Sequence, residues 1–96
     1  MIRYMAIIEY TQQGVASISE SPARARAFCQ QVEAAGGKVL GQYWALGEFD
    51  GCVLFEAPDQ QTATQLLLGL AKAGNVRTRT VQLLDAAEFE QAVSNL

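Results

Sequence analysis

Histidine is absent from this 96-residue chain, and that absence excludes more chemistry than any residue present declares. It removes the side chain that most often moves protons near neutral pH, which is also the commonest metal ligand. It also removes the histidine axial ligand of a haem. Cysteine is nearly as scarce. Cys29 and Cys52 are too few to build a zinc site. They read as reduced, buried small hydrophobes, with a redox pair as the alternative. No resident metal or cofactor is expected. Any catalysis must use carboxylates, tyrosine, cysteine, arginine or a borrowed cofactor.

Basic runs are missing too. Seven basic residues against ten acidic give a net charge of −3, so nucleic-acid binding by phosphate neutralisation is not expected. No apolar run approaches the roughly 20 residues that span a bilayer, so no membrane is expected as a partner. The first ten residues are apolar, but they contain Arg3 and Glu9 and no small-residue cleavage pattern, so a cytoplasmic location is expected by elimination.

What remains is half hydrophobic and reads as one folded domain over residues 1–96. A domain of this size buries only roughly two thirds of its unfolded surface and gains from a partner.

Residues 3–10 form a first strand rich in β-branched and aromatic side chains, closed by turn chemistry at Thr11-Gln12-Gln13-Gly14. After a short connection, Ser21 as N-cap and Pro22 at the first position start a helix. Ala25, Phe28, Cys29 and Val32 make its apolar stripe, and Gly36-Gly37 stops it. Residues 38–46 and 49–57 are two strands around a two-residue turn at Gly47-Glu48, whose leading glycine suits a type II′ hairpin. That register sets Trp44 opposite Gly51 and Tyr43 opposite Cys52, with Gly51 leaving room for the indole. Pro58-Asp59 opens a second helix with a stripe of Ala63, Leu66, Leu67, Leu70 and Ala71, ended by Gly74-Asn75. Residues 76–84 alternate as a fourth strand, and Asp85 with Glu88 has capping-box spacing for a short terminal helix.

This order is α+β: the split β-α-β, or ferredoxin-like βαββαβ, antiparallel sheet plus a short C-terminal helix. Both main helices lie on one face, reached by Ile2, Tyr4, Ala6 and Ile8. The other face takes Arg3, Met5, Ile7 and Glu9, with Tyr43, Asp50, Cys52, Leu54 and Glu56 from the hairpin. It is too apolar to stay in water and too polar for an ordinary core. Two such sheets face to face make a dimeric α/β barrel, so the expected partner is a second copy of the chain. A one-residue slip would reverse the assignment.

At Gly47-Glu48-Phe49-Asp50 the chain resembles the small bacterial and archaeal family called GYD after its Gly-x-Tyr-Asp signature. Thr11-Gln12-Gln13-Gly14, Ser21-Pro22-Ala23-Arg24-Ala25, the hairpin from Tyr43 to Asp50, Ala57-Pro58-Asp59 and Gly74-Asn75-Val76-Arg77-Thr78 are similar to its other motifs, so the resemblance spans nearly the whole chain. Phe49 stands where the signature has tyrosine, so any role of that hydroxyl is absent. The resemblance implies the dimeric α/β-barrel group and no particular activity, since fold does not fix function.

Candidate site residues are few. Asp50 is either a proton-moving carboxylate or a turn aspartate that accepts backbone N–H bonds. Tyr43 and Trp44 either line an aromatic pocket or divide between core and interface, because strand neighbours point opposite ways. Arg77, with Arg79 on the same strand face, either holds an anion or blunts a sheet edge. Glu9 and Glu56 form a carboxylate cluster or pair with arginines, and Cys52 is a nucleophile only beside a cation. The reading is a homodimer binding a small aromatic or acidic molecule in the inter-sheet cleft through Tyr43, Trp44, Asp50 and Arg77. One alternative is a cofactor-independent isomerase or monooxygenase using Tyr43, Asp50 and Arg77. The other is an assembly module with no ligand.

Overall fold

The computed structural model describes residues 1–96. The chain runs β1 (Ile2–Tyr10), α1 (Gln12–Ala16), a single 3₁₀ turn at Ile18–Glu20, α2 (Ser21–Ala34), β2 (Lys38–Trp44), β3 (Gly51–Ala57), α3 (Gln60–Ala73), β4 (Val76–Leu83) and α4 (Ala86–Val93). The strands form one sheet in the order β2-β3-β1-β4, antiparallel throughout. This is the ferredoxin-like α+β arrangement expected. Within one chain the sheet is open and not closed into a barrel.

Helix ends follow local chemistry in most places. Asp59 caps α3 by accepting from Thr62 N–H at 2.8 Å. Asp85 and Glu88 form the reciprocal capping box of α4. Gly36 (φ 88°) and Gly74 (φ 83°) take the left-handed conformation just past α2 and α3. Two expectations fail. Thr11-Gln12-Gln13-Gly14 is not a simple turn: the Thr11 hydroxyl accepts from Gly14 N–H at 3.1 Å and starts α1. Ser21 is not an N-cap but the first helical residue; no side chain caps α2, and the Ser21 hydroxyl is bonded elsewhere.

The hairpin keeps its expected pairs, Trp44 with Gly51 and Tyr43 with Cys52, but not its expected turn. Residues 45–50 form a wider loop, closed by Ala45 N–H to Asp50 O at 2.9 Å. Leu40 is an extra residue in β2, a bulge that shifts the register by one toward Lys38. Gly51 makes room for strand backbone, not for the indole: a Cβ there would meet Tyr43 O at 2.6 Å. The glycine beneath an aromatic ring is Gly41, where an added Cβ would lie 2.8 Å from the Tyr43 ring.

The core lies between the sheet and the two long helices. Tyr4, Ala6, Phe28, Val32, Val53, Phe55, Ala57, Ala63 and Leu66 form its buried cluster. Phe55 stacks on Tyr4 with centroids 5.5 Å apart and meets the edge of Phe28 at 5.7 Å. Only 11 of 96 residues are buried.

The uncovered sheet face is laid out by the register. One row is Leu54, Met5 and Val81; the next is Tyr43, Cys52, Ile7 and Arg79. Charged pairs flank these rows. At one end Arg79 meets Glu9 at 3.0 Å; at the other Arg3 meets Glu88 at 2.9 Å and Glu56 at 3.4 Å. The bond to Glu88, more than the surrounding carboxylates, raises the Arg3 pKa above its ordinary range.

Helix α4 does not close this face. It makes no extensive contact with another element, its first turn is tethered to Arg3, and Phe89 and Val93 are 59% and 47% exposed. The domain is correspondingly long, 49 × 30 × 18 Å. Its radius of gyration is 14.4 Å, where a compact chain of this length has about 12.5 Å.

Candidate functional site

The more enclosed concavity lies on the helix side, away from the uncovered face. It is a partly open cavity of about 280 Å³, where the end of β1, the start of β3 and the end of β2 meet the N-terminal half of α2 and the C-terminal end of α3. Ile8, Phe28, Val53, Leu70 and Val76 supply its apolar wall. Small residues from both helices contribute to its wall: Ala25 and Ala27 on α2, Gly69 and Ala73 on α3.

A hydrogen-bonded bridge crosses one side. The Trp44 Nε1–H donates to Ser21 Oγ at 3.1 Å, and the Ser21 and Tyr10 hydroxyls share a bond of 2.7 Å. Ser21 thus joins two aromatic rings from neighbouring regions of the sheet to the start of α2. A second, more open groove lies against the same bridge and shares Tyr10, Ser21, Trp44 and Asp50 with the cavity.

Asp50 is held by three bonds. Its Oδ2 accepts from Tyr10 N–H at 2.8 Å, its N–H donates to Ile8 O at 2.9 Å, and its carbonyl accepts from Ala45. The carboxylate closes the wide hairpin loop against β1, which is why the loop can be longer than two residues and still keep the register.

Arg24 also borders the cavity. Its Nη1 donates to the carbonyl and hydroxyl oxygens of Ser17, both at 3.2 Å, and its Nη2 donates to Gly14 O at 3.4 Å. No carboxylate lies within salt-bridge distance of it.

The candidates from the sequence are not one cluster. Trp44 and Asp50 lie at the helix-side cavity. Tyr43 also contributes to its wall, but its ring lies over Gly41 on the opposite face and is 61% exposed. Arg77 pairs with Glu9 in the β1–β4 register on that opposite face and does not border the cavity. Tyr43 and Arg77 occupy the two edge strands. At about 4.8 Å per strand they stand roughly 14 Å or more apart, too far for one small ligand in a single chain. Glu9 and Glu56 are drawn to Arg79 and Arg3 at opposite ends of the sheet, so they form no joint carboxylate cluster. Cys52 faces the uncovered side beside Ile7. Cys29 is not in the buried core but half-buried on α2; desolvation, with the nearby Glu33 carboxylate, pushes its thiol pKa up. No group of three or more His, Cys, Asp or Glu is placed to hold a metal ion.

Sequence reasoning did not single out Tyr10, Ser21 or Arg24 as site residues. Their signal was present as motif and not as chemistry. Ser21 and Arg24 stand in the Ser-Pro-x-Arg-Ala helix start. Thr11-Gln12-Gln13-Gly14 clasps Gly74-Asn75: the Thr11 hydroxyl donates to Gly74 O at 2.6 Å, Thr11 N–H to Asn75 O at 3.1 Å, and Gln13 Nε2 to Ala73 O and Asn75 Oδ1. A Cβ on Gly14 would collide with the Asn75 carbonyl. The two motifs are one structural lock beside the cavity.

A family model described as GYD domain matches residues 4–93. A Thermus thermophilus protein named glutamine synthetase and cystathionine beta-lyase binding protein is 29% identical over 90 residues, covering 93% of this chain and 95% of that protein. Among solved structures, TTHA0845 from Thermus thermophilus superposes with a TM-score of 0.55 at 19% identity, over 90% of this chain and 96% of that one. The leucine response regulatory protein LrpA of Mycobacterium tuberculosis gives a TM-score of 0.62 at 20% identity, over 88% of this chain and 51% of that one. This chain spans about half the length of that regulator. At such identities the structures show the fold alone. No helix is long and apolar enough to cross a membrane.

Proposed function

This chain belongs to the GYD domain family, and from that premise we propose that it is a homodimeric protein-binding module. The observation that carries this reading is the uncovered sheet face with a loosely tethered, largely exposed helix beside it. Met5, Ile7, Leu54 and Val81 form a contiguous apolar strip on that face, with Val81 47% exposed. Surfaces of this kind mark protein contacts.

A second copy is the occupant that fits. At one end of the strip stand Arg77, Arg79 and Glu9, two cations against one anion; at the other stand Arg3, Lys38, Glu56, Asp85 and Glu88, two cations against three anions. A two-fold axis through the strip sets the net-positive end of one copy on the net-negative end of the other. It also gives α4 a partner surface for Phe89 and Val93. Sheet packed on sheet completes the dimeric α/β barrel. Because Tyr43 and Arg77 stand at opposite edges, a small molecule between the sheets would have to be held by residues of both copies.

The name of the Thermus relative adds the second half of the proposal. That protein is named for binding glutamine synthetase and cystathionine beta-lyase, and protein binding is what we carry to this chain, with those two enzymes as the first partners to test. Light scattering coupled to size exclusion should return twice the 10.4 kDa chain mass. Val81→Arg should return a folded monomer. Interferometry against purified glutamine synthetase should then show binding by the wild type. A wild-type chain that runs as a monomer at micromolar concentration removes the assembly, and no binding to either enzyme removes the partner assignment.

A further inference from the structure

We propose that the helix-side cavity is a binding site for a small carboxylic acid with an aromatic or branched apolar body, its carboxylate taken by Arg24. This goes beyond the protein-binding role and does not depend on self-association, because the cavity lies on the face opposite the apolar strip.

Arg24 carries the argument. A guanidinium has five N–H donors in a planar fork. The bonds to Ser17 and Gly14 occupy Nη1 and one hydrogen of Nη2. The Nε–H and one Nη2–H have no protein acceptor, which leaves the guanidinium with donors to give to a carboxylate. Arg24 is half-buried and unpaired with any carboxylate. A partly desolvated cation of this kind draws an anion more strongly than an exposed one does. The start of α2 adds to the same field, since no side chain caps it and its positive end lies at Ser21.

The rest of the wall specifies the ligand's body. Twelve of the 20 residues lining the cavity are hydrophobic, so a highly polar ligand would lose more solvation than it regained. About 280 Å³ lies just below the range of roughly 300–1,000 Å³ typical of small-molecule sites, which admits one ring or a branched chain and excludes a nucleotide. Trp44 and Tyr10, pinned by Ser21, present rings at the rim. Asp50 is the other charged group on the wall, and it divides two sources of the same carboxylate: a plain acid leaves it to its bond with Tyr10 N–H, whereas an α-amino acid can offer it an ammonium.

The test is titration of the full chain with phenylacetate, L-phenylalanine and 2-phenylethylamine, read by the emission of Trp44, the single tryptophan, and by thermal shift. Saturable binding of phenylacetate or phenylalanine, with none of the amine, is the expected result. Phenylacetate as the better ligand assigns the plain-acid class, and phenylalanine the amino-acid class. Arg24→Gln should weaken binding by about tenfold or more, the usual cost of losing a charge-assisted pair.

Arg24 also holds α1, so a second variant isolates the cavity. Ala25 shares the apolar stripe of α2 with the buried Phe28 and Val32, and its Cβ faces the same way. Ala25→Leu should fill the space, keep the melting temperature and abolish binding. The proposal is overturned if neither acid binds saturably, if the amine binds as well as the acids, or if Ala25→Leu binds like the wild type.

Discussion

Replacing Ser21 by alanine separates two readings of one hydroxyl. In the sequence Ser21 reads as the N-cap of α2, whereas in the structure it bridges Tyr10 and Trp44 at 2.7 and 3.1 Å and caps nothing. The bond to Tyr10 is partly buried, and a bond of that type contributes about 0.5–1.5 kcal/mol net. The bond to Trp44 is exposed, with the side chain 54% accessible, so water replaces it and its share is near zero. The expected loss is about 1 kcal/mol, or a fall in melting temperature of about 4–8 °C for a domain this size. A lost N-cap costs a similar ~1 kcal/mol, so thermal melting does not distinguish the readings. The indole does. Trp44 is the single tryptophan, and releasing it from Ser21 should redden its emission and lower its anisotropy. A double-mutant cycle with Tyr10→Phe should show that the two changes are not additive. Unchanged emission and anisotropy in Ser21→Ala, with additive losses in the cycle, would refute the bridge and restore the cap.

Four further outcomes follow from the structure. Phe55→Ala should cost about 3–5 kcal/mol in urea unfolding, because the ring is fully buried between Tyr4 and Phe28; a loss below about 1 kcal/mol would misplace the core. Gly14→Ala should cost about 2 kcal/mol or more, since the new methyl group meets the Asn75 carbonyl and neither backbone can yield cheaply; near-neutral behaviour would dissolve the lock between the two motifs. Thr80→Val should be neutral or stabilising by about 1 kcal/mol, because the Thr80 hydroxyl is buried without a partner; a clear destabilisation would reveal an acceptor for it. The Asp59 pKa is lowered first by the Thr62 backbone N–H and then by the Thr62 hydroxyl. Its folded-state value therefore lies below the unfolded one, and its stabilisation is complete above the unfolded value and fades as pH falls through the folded one. Acid titration of stability should show Asp59→Asn with a shallower decline than wild type below about pH 4; identical acid limbs would contradict the shift.

The four strands, the two long helices and the terminal helix, their order and most of their ends were legible in the residues alone, whereas α1 and the 3₁₀ turn were not. Asp59, Gly74 and the Asp85–Glu88 box act over three or four residues, and the facing of β1 follows from alternation, so neither needs knowledge of the rest of the chain. The same holds for the hairpin pairs Trp44–Gly51 and Tyr43–Cys52, although the loop that joins them is stabilised from outside, by Asp50 bonding to β1. Whatever depends on two distant segments meeting was settled by the folded chain. Folding turned Thr11-Gln12-Gln13-Gly14 into a helix start by setting it on Gly74-Asn75. It took the Ser21 hydroxyl from its own helix and gave it to Tyr10 and Trp44. It split the candidate residues between the two faces of the sheet. The cavity is the clearest case: it is space left where Ala25 on one helix and Gly69 on the other approach the same end of the sheet. A pattern within either helix records only small residues, and a void is defined by what fails to meet across it.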